Sequence, residues 1–155
     1  MPSAIARRDL QGTLLDQFAD LNRDWRRIAI TEAGEAANQG LVATLKPGTL
    51  VKRIEQYRGA CPYCKSIDGQ VYTVVSPDKP DKDGDTQIWA GKNNYGRSGA
   101  ARKRTPEGMV DRLPSELWWP VAGLVHPNCR GRLVVLGDMK LLDQRLADWI
   151  KEQKK

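Results

Sequence analysis

A single phenylalanine is the first shortage in this chain, and with only one histidine and three cysteines it has few residues of the kinds that usually fill cores or carry chemistry. Hydrophobic residues are 40% and charged residues 28% of the 155, ordinary globular values, but so little Phe and a negative mean hydropathy predict a modest core that needs help from something besides apolar burial. No apolar run approaches the roughly 18 residues of a membrane-spanning helix, and Met1 to Leu10 lacks the apolar stretch and cleavage site of a secretory signal, so the expectation is a chain with no membrane segment, not exported by that route. Three cysteines cannot all pair into disulfides, and an odd number points to metal binding or thiol chemistry. No internal repeat is present. The length fits one compact domain with an appended helix.

Lys and Arg outnumber Asp and Glu by 25 to 19, giving a formal charge of +6, which favours phosphate or other acidic surfaces as partners. The excess is uneven: residues 96–105 carry four positive charges and no negative one, whereas residues 78–85 are net acidic. The basic stretch reads as a mobile loop.

The pattern of residues predicts an α+β chain: an N-terminal helical segment (1–48), a small antiparallel β zinc-knuckle module (49–136) with a long loop excursion (76–114), and a C-terminal amphipathic helix (137–155). Leu14, Phe18, Leu21, Trp25 and Ile28 recur every three or four residues, so one or two helices run through the first forty residues, with Gly40 suited to the position just past a helix end. Lys46-Pro47-Gly48 reads as a turn. Residues 49–57 and 70–75 read as strands around a hairpin-like excursion that holds Cys61 and Cys64, and Asp68-Gly69 as a tight turn. Trp89 and Tyr95 are candidates to pin parts of the long excursion. A third strand is expected over 131–136, then a helix capped by Asp138, with an apolar stripe of Leu141, Leu142, Leu146, Trp149 and Ile150 and with Lys151, Lys154 and Lys155 at its C-terminal end.

The chemistry gathers in Cys61-Pro-Tyr-Cys64, a gap of 61 residues, then His126-Pro-Asn-Cys129. Two close pairs across a long excursion are what a tetrahedral Cys₃His site needs, because each tight turn supplies two ligands, and the expected cofactor is a structural zinc held by Cys61, Cys64, His126 and Cys129. An ion tied to both roots of the excursion also explains how so long a polar loop is tolerated. Four protein ligands leave no open position for a catalytic water. The bland alternative is three buried thiols acting as small hydrophobes. Cys61-Pro62-Tyr63-Cys64 is also the active-site tetrapeptide of glutaredoxins, but there the motif opens a helix, whereas here a turn and a β-rich run follow at once. A zinc deaminase needs a His-x-Glu before its Cys pair, and the order here is reversed. Asp81-Lys-Asp83-Gly-Asp85 resembles part of a calcium loop, with its glycine one place early and Lys92 where the terminal carboxylate belongs, so a solvated loop is expected.

The order Trp25-Arg26-Arg27 with Thr31-Glu32, then Ala37-Asn38-Gln39-Gly40, then Cys61-x-x-Cys64 with Asp68-Gly69-Gln70, then His126-Pro127-Asn128-Cys129-Arg130 resembles phage Mu F-like minor head proteins, which act in phage head morphogenesis. The resemblance covers roughly Trp25 to Leu136. The family pattern usually continues with a cysteine after the arginine, where this chain has Gly131, and family members commonly carry a larger region ahead of the module than the two dozen residues present here. The resemblance implies a non-enzymatic, low-copy virion component, present in the host cytoplasm during assembly, incorporated near the portal, and partnered by the portal or other head proteins. It further implies a part in DNA packaging or delivery. Related modules occur fused to bacterial toxins whose activity resides in the partner domain.

Other residues carry weaker readings. Arg97, Arg102, Lys103 and Arg104 are candidates for contact with DNA or an acidic partner, against a plain solvated loop. Arg130, beside Cys129, is a candidate to hydrogen-bond a knuckle carbonyl or thiolate, against a plain surface arginine. Glu32 and Glu35 read as surface or capping contacts, Trp25 and Trp118 as core. A zinc-ribbon-like nucleic-acid-binding factor is the alternative to the virion protein, and a thiol-disulfide oxidoreductase stands third.

Overall fold

A computed structural model describes residues 4–153, and within them the side chains of residues 13, 16–138 and 143–153. The chain is mixed α+β, as its pattern predicts. Helix α1 (Ala4–Thr44) leads into strand β1 (Thr49–Ile54), the short helix α2 (Pro62–Ile67) and strands β2 (Val71–Val74), β3 (Gln87–Ile88), β4 (Arg102–Thr105) and β5 (Gly108–Asp111). Strand β6 (Arg132–Asp138) and helix α3 (Met139–Glu152) complete it. Four strands form one sheet in the order β3-β2-β1-β6, in which β1 pairs antiparallel with both β2 and β6, and β3 joins β2 in parallel. Strands β4 and β5 form a separate antiparallel hairpin.

One continuous helix replaces the expected stop at Gly40. The helix runs on because Val42 is buried against Val51, Tyr72, Val74, Ile88 and Leu133, with Leu41 and Leu45 packed beside it, so its last turns form one wall of the core. The turn comes at Gly48, whose φ of +93° suits a residue without Cβ. Asn38 fastens the helix to β6: its amide donates to the Gly131 carbonyl (3.0 Å), and its oxygen accepts the Leu133 N–H (3.4 Å). Upstream the helix leaves the domain. Phe18, Leu21, Trp25 and Ile28 are all more than half exposed, so Trp25 is not the core residue its spacing predicts. On α3, Leu146, Trp149 and Ile150 are exposed, while the side chains of Leu141 and Leu142, together with Lys154 and Lys155, lie outside what is described.

The long excursion is more ordered than its composition predicts. Lys92 is 1% exposed, and its Nζ donates to the carbonyls of Gly84 (2.6 Å) and Gln87 (2.8 Å) while lying 4.7 Å from the ring centroids of both Trp89 and Trp119. Two aromatic faces and two carbonyls thus hold one cation and fold the loop around it. Of the aspartates that resemble a calcium loop, Asp83 is engaged inside a turn: its carboxylate accepts the Asp85 N–H (2.9 Å) and the Thr86 hydroxyl. Tyr95 is 72% exposed, so it is not the buried anchor expected of it.

Burial lowers the Lys92 amine to about 8, against the favourable pull of Asp85 and Asp83. Below that value the amine is charged in both folded and unfolded chains. Between about pH 8 and 10 the unfolded chain binds the proton that the folded chain has released, so unfolding free energy rises with pH. Compared with Lys92→Met, wild type is expected to gain about 2 kcal/mol between pH 8 and 10 in urea titrations, at about 1.4 kcal/mol per unit of pKa difference. Parallel pH profiles for the two proteins would contradict this.

Candidate metal centre

Cys61 is the N-cap of α2, its Sγ accepting the Cys64 N–H (3.4 Å), and Pro62 opens the helix with a residue that has no N–H to satisfy. This corrects the expectation that no helix follows the Cys-Pro-Tyr-Cys motif. The helix lasts only six residues, ending where Asp68 accepts the Glu55 N–H (2.8 Å) and Gly69, with φ of +79°, turns the chain into β2. That turn sets α2 beside the end of β1. Cys64 and Ile67 then face a second core cluster with Ala60, Val121, Leu124, Val125 and Cys129.

The opposite side of the centre comes from the loop before β6. Asn128 takes a left-handed conformation (φ 61°) and donates its N–H to the Thr31 hydroxyl (2.7 Å), and Glu35 accepts the Leu124 N–H (2.6 Å), so α1 positions this loop from two points. Glu35 therefore bridges two elements instead of serving as the surface or capping contact expected of it, whereas Glu32 is exposed as expected. Trp118 stacks on His126 with centroids 5.2 Å apart, and Tyr63 packs edge-on against Trp118 at 5.6 Å. Trp118, partly buried against the second cluster, agrees with its core assignment.

Three of the predicted ligands, Cys61, Cys64 and His126, meet here, and Cys129 joins them through Cys64. His126 Nε2 lies 3.4 Å from the Sγ of Cys61 and 3.4 Å from that of Cys64, and Cys64 Sγ is 4.0 Å from Cys129 Sγ. Two overlapping sets of donors share Cys64: Cys61, Cys64 and His126, and Glu55, Cys64 and Cys129, the atoms of each set lying within 4.8 Å of one another. The cluster could hold a metal ion. His126 Nδ1 faces the Pro127 carbonyl at 2.9 Å, which holds a proton there and leaves Nε2 facing the two sulfurs. Cys129 Sγ accepts from the Gly131 N–H and the Tyr57 hydroxyl, both at 3.4 Å.

The electrostatics favour thiolate at one end of the cluster. Cys129 is lowered to about 4, chiefly by the hydrogen bond from Cys64, with those from Tyr57 and the Gly131 N–H adding to it, while the Cys64 thiol is raised by the same bond and by burial. For Cys61, burial opposes ionisation but is outweighed by hydrogen bonds from the Cys64 backbone and side chain and from His126, and its pKa falls.

Arg53 and Glu55 belong to this site and were not expected in it. Along β1 the side chains of Val51, Arg53 and Glu55 alternate onto the buried face, and the two charged residues are 1% and 2% exposed. Arg53 Nε donates to Glu55 Oε1 (2.6 Å), and its Nη1 to the carbonyls of Gly123 (2.7 Å) and Val121 (3.4 Å). Glu55 in turn lies 3.6 Å from Cys129 Sγ, and burial raises its pKa against the pull of Arg53. Gly131 is required beside it, because a Cβ there would run into the Glu55 carboxylate. The signal in the sequence was strand parity: with Val51 inward, residues 53 and 55 must be inward too.

The remaining candidates fall elsewhere. Arg130 is exposed and makes no hydrogen bond to the knuckle, so the partners of Cys129 are Tyr57, Gly131 and Glu55 instead. The basic stretch is no mobile loop but a hairpin with internal partners. Arg102 pairs with Asp111 (3.3 Å), Lys103 with Glu116, and Arg97 stacks over Trp119 at 3.7 Å while donating to the Leu117 carbonyl, leaving Arg104 without an ion pair among the described residues. No family model, curated protein or solved structure matches this chain. No described helix is long and apolar enough to cross a membrane.

Proposed function

We propose that this chain is a non-enzymatic minor head protein of the phage Mu F-like kind, stapled by one structural zinc ion bound to Cys61, Cys64, His126 and Cys129. The observation that carries the reading is convergence. Pieces of the sequence that carry the resemblance meet around one cluster: Thr31 holds Asn128 and the two cysteine pairs face each other, while Asn38 and Asp68 hold the flanking Gly131 and Glu55.

Three of the donor distances match zinc, while Cys129 reaches the set through Cys64 and groups with Glu55. Zn–S bonds of about 2.3 Å and Zn–N bonds of about 2.0 Å in a tetrahedron place sulfur and nitrogen about 3.5 Å apart and two sulfurs about 3.8 Å apart. The distances here are 3.4, 3.4 and 4.0 Å. Three sulfurs and an imidazole are a closed structural set, and the ion would supply cross-linking between α2 and the loop before β6. A thiol-disulfide enzyme would draw on Cys61 at a helix N-cap, but a six-residue helix has little dipole to offer, and His126 Nε2 contacts both thiols of the motif.

In the virion reading the module sits near the portal and contributes to assembly. Quantitative mass spectrometry of purified particles of the phage encoding this chain is expected to find it in low copy, and to find fewer copies when particles assemble without portal. Particles free of the protein would overturn the virion assignment while leaving the metal site untouched.

A further inference from the structure

The basic residues free to meet an anion are not those that the charge run picks out. Between α1 and the knuckle runs a groove of about 520 Å³ lined by Asn22, Arg23, Arg26, Arg27, Asn128 and Arg130, with Ala19 and Ile30 completing it. Arg23 is held by Asp20 (3.3 Å) and Asp24 (3.4 Å). Arg26, Arg27 and Arg130 are exposed and have no ion pair among the described residues. Asp24 and Glu32 border an adjoining groove that shares Arg27, but neither forms an ion pair with it. Like charges gathered across one groove repel, and an anion seated between them removes that cost.

The anion that fits is a chain of phosphates. Guanidinium groups are planar forks matched to phosphate oxygens. Residues 16–30 of α1 are all exposed, so a duplex can reach this face. We propose that the groove between α1 and the 128–130 knuckle binds the phosphate backbone of double-stranded DNA without reading its sequence, through Arg26, Arg27 and Arg130. This deepens the reading above by assigning the DNA contact to residues, and it depends on the fold of the knuckle, not on the identity of the ion there.

The test is fluorescence anisotropy with a labelled 20-base-pair DNA duplex, titrated from 50 to 200 mM salt. Three phosphate contacts predict that wild-type affinity falls about 40-fold across that range. Arg26→Gln/Arg27→Gln/Arg130→Gln is expected to abolish that salt dependence and weaken binding at least about tenfold at 50 mM. The matching Lys triple, which keeps the charges, is expected to retain most of the binding, and Arg102→Gln/Lys103→Gln/Arg104→Gln to bind as wild type. Far-ultraviolet circular dichroism and metal content are expected to stay unchanged in the Gln triple, separating lost contact from lost fold and from failure of the zinc reading. The proposal is overturned if the Gln triple binds like wild type, if the hairpin triple loses binding instead, or if wild type ignores the duplex and binds polyglutamate.

Discussion

Cys64→Ser is expected to leave the chain without a cooperative unfolding transition at 25 °C. Cys64 is fully buried and is the one ligand common to both sets of donors. Structural zinc in small domains contributes apparent binding free energies of about 10–16 kcal/mol near neutral pH, whereas a domain of this size is stable by about 5–15 kcal/mol in total. The second core cluster holds only seven buried residues, two of them the thiols themselves, so it cannot replace such a contribution. Serine keeps the volume but offers a poor ligand, which separates the metal from packing. Prolonged dialysis of wild type against a strong chelator should have the same effect, with recovery on adding zinc. Urea denaturation followed by tryptophan fluorescence is the measurement, since Trp118 stacks on His126. A Cys64→Ser protein that unfolds cooperatively within about 1 kcal/mol of wild type would contradict the account.

Arg53→Met is expected to cost about 3–5 kcal/mol, the range found when one partner of a buried ion pair is removed and the other is left behind. The pair is 2.6 Å apart at almost zero exposure, and the guanidinium also carries the carbonyls of Gly123 and Val121. Its loss strands Glu55 beside Cys129 and unties the 121–125 loop from β1. Replacing both members, as Arg53→Met with Glu55→Leu, is expected to recover much of the loss, because no uncompensated charge then remains. A double-mutant cycle in urea reads the coupling directly. A single Arg53→Met variant costing less than about 1 kcal/mol would show that the pair is incidental.

The candidate metal centre was legible because its potential ligands come in close pairs, and spacing within a pair survives translation into any local turn. Asn38 and Thr31 were visible only as parts of a resemblance, since nothing in a helical period says which polar residue faces a distant loop. Gly40 misled because glycine marks a helix end only when no apolar residue beyond it has a core to reach, and Val42 does. Trp25 misled in the opposite sense: its three-four spacing describes a face, not what covers it, and α1 extends beyond the domain there. Lys92 and Arg53 were invisible for a shared reason. A buried cation is specified by its acceptors, the Gly84, Gln87 and Gly123 carbonyls and the Glu55 carboxylate, and those are brought to it by the chain path. The charge run at residues 97–104 shows the same limit, because three of its four cations find partners close at hand once the hairpin forms.

Elemental analysis together with X-ray absorption, on protein purified without chelator or histidine tag, tests the central claim most directly. The account predicts about one zinc per chain, coordinated by three sulfurs at about 2.3 Å and one nitrogen at about 2.0 Å. A folded, metal-free protein with three freely titratable thiols would contradict it and return Cys61 and Cys64 to redox chemistry.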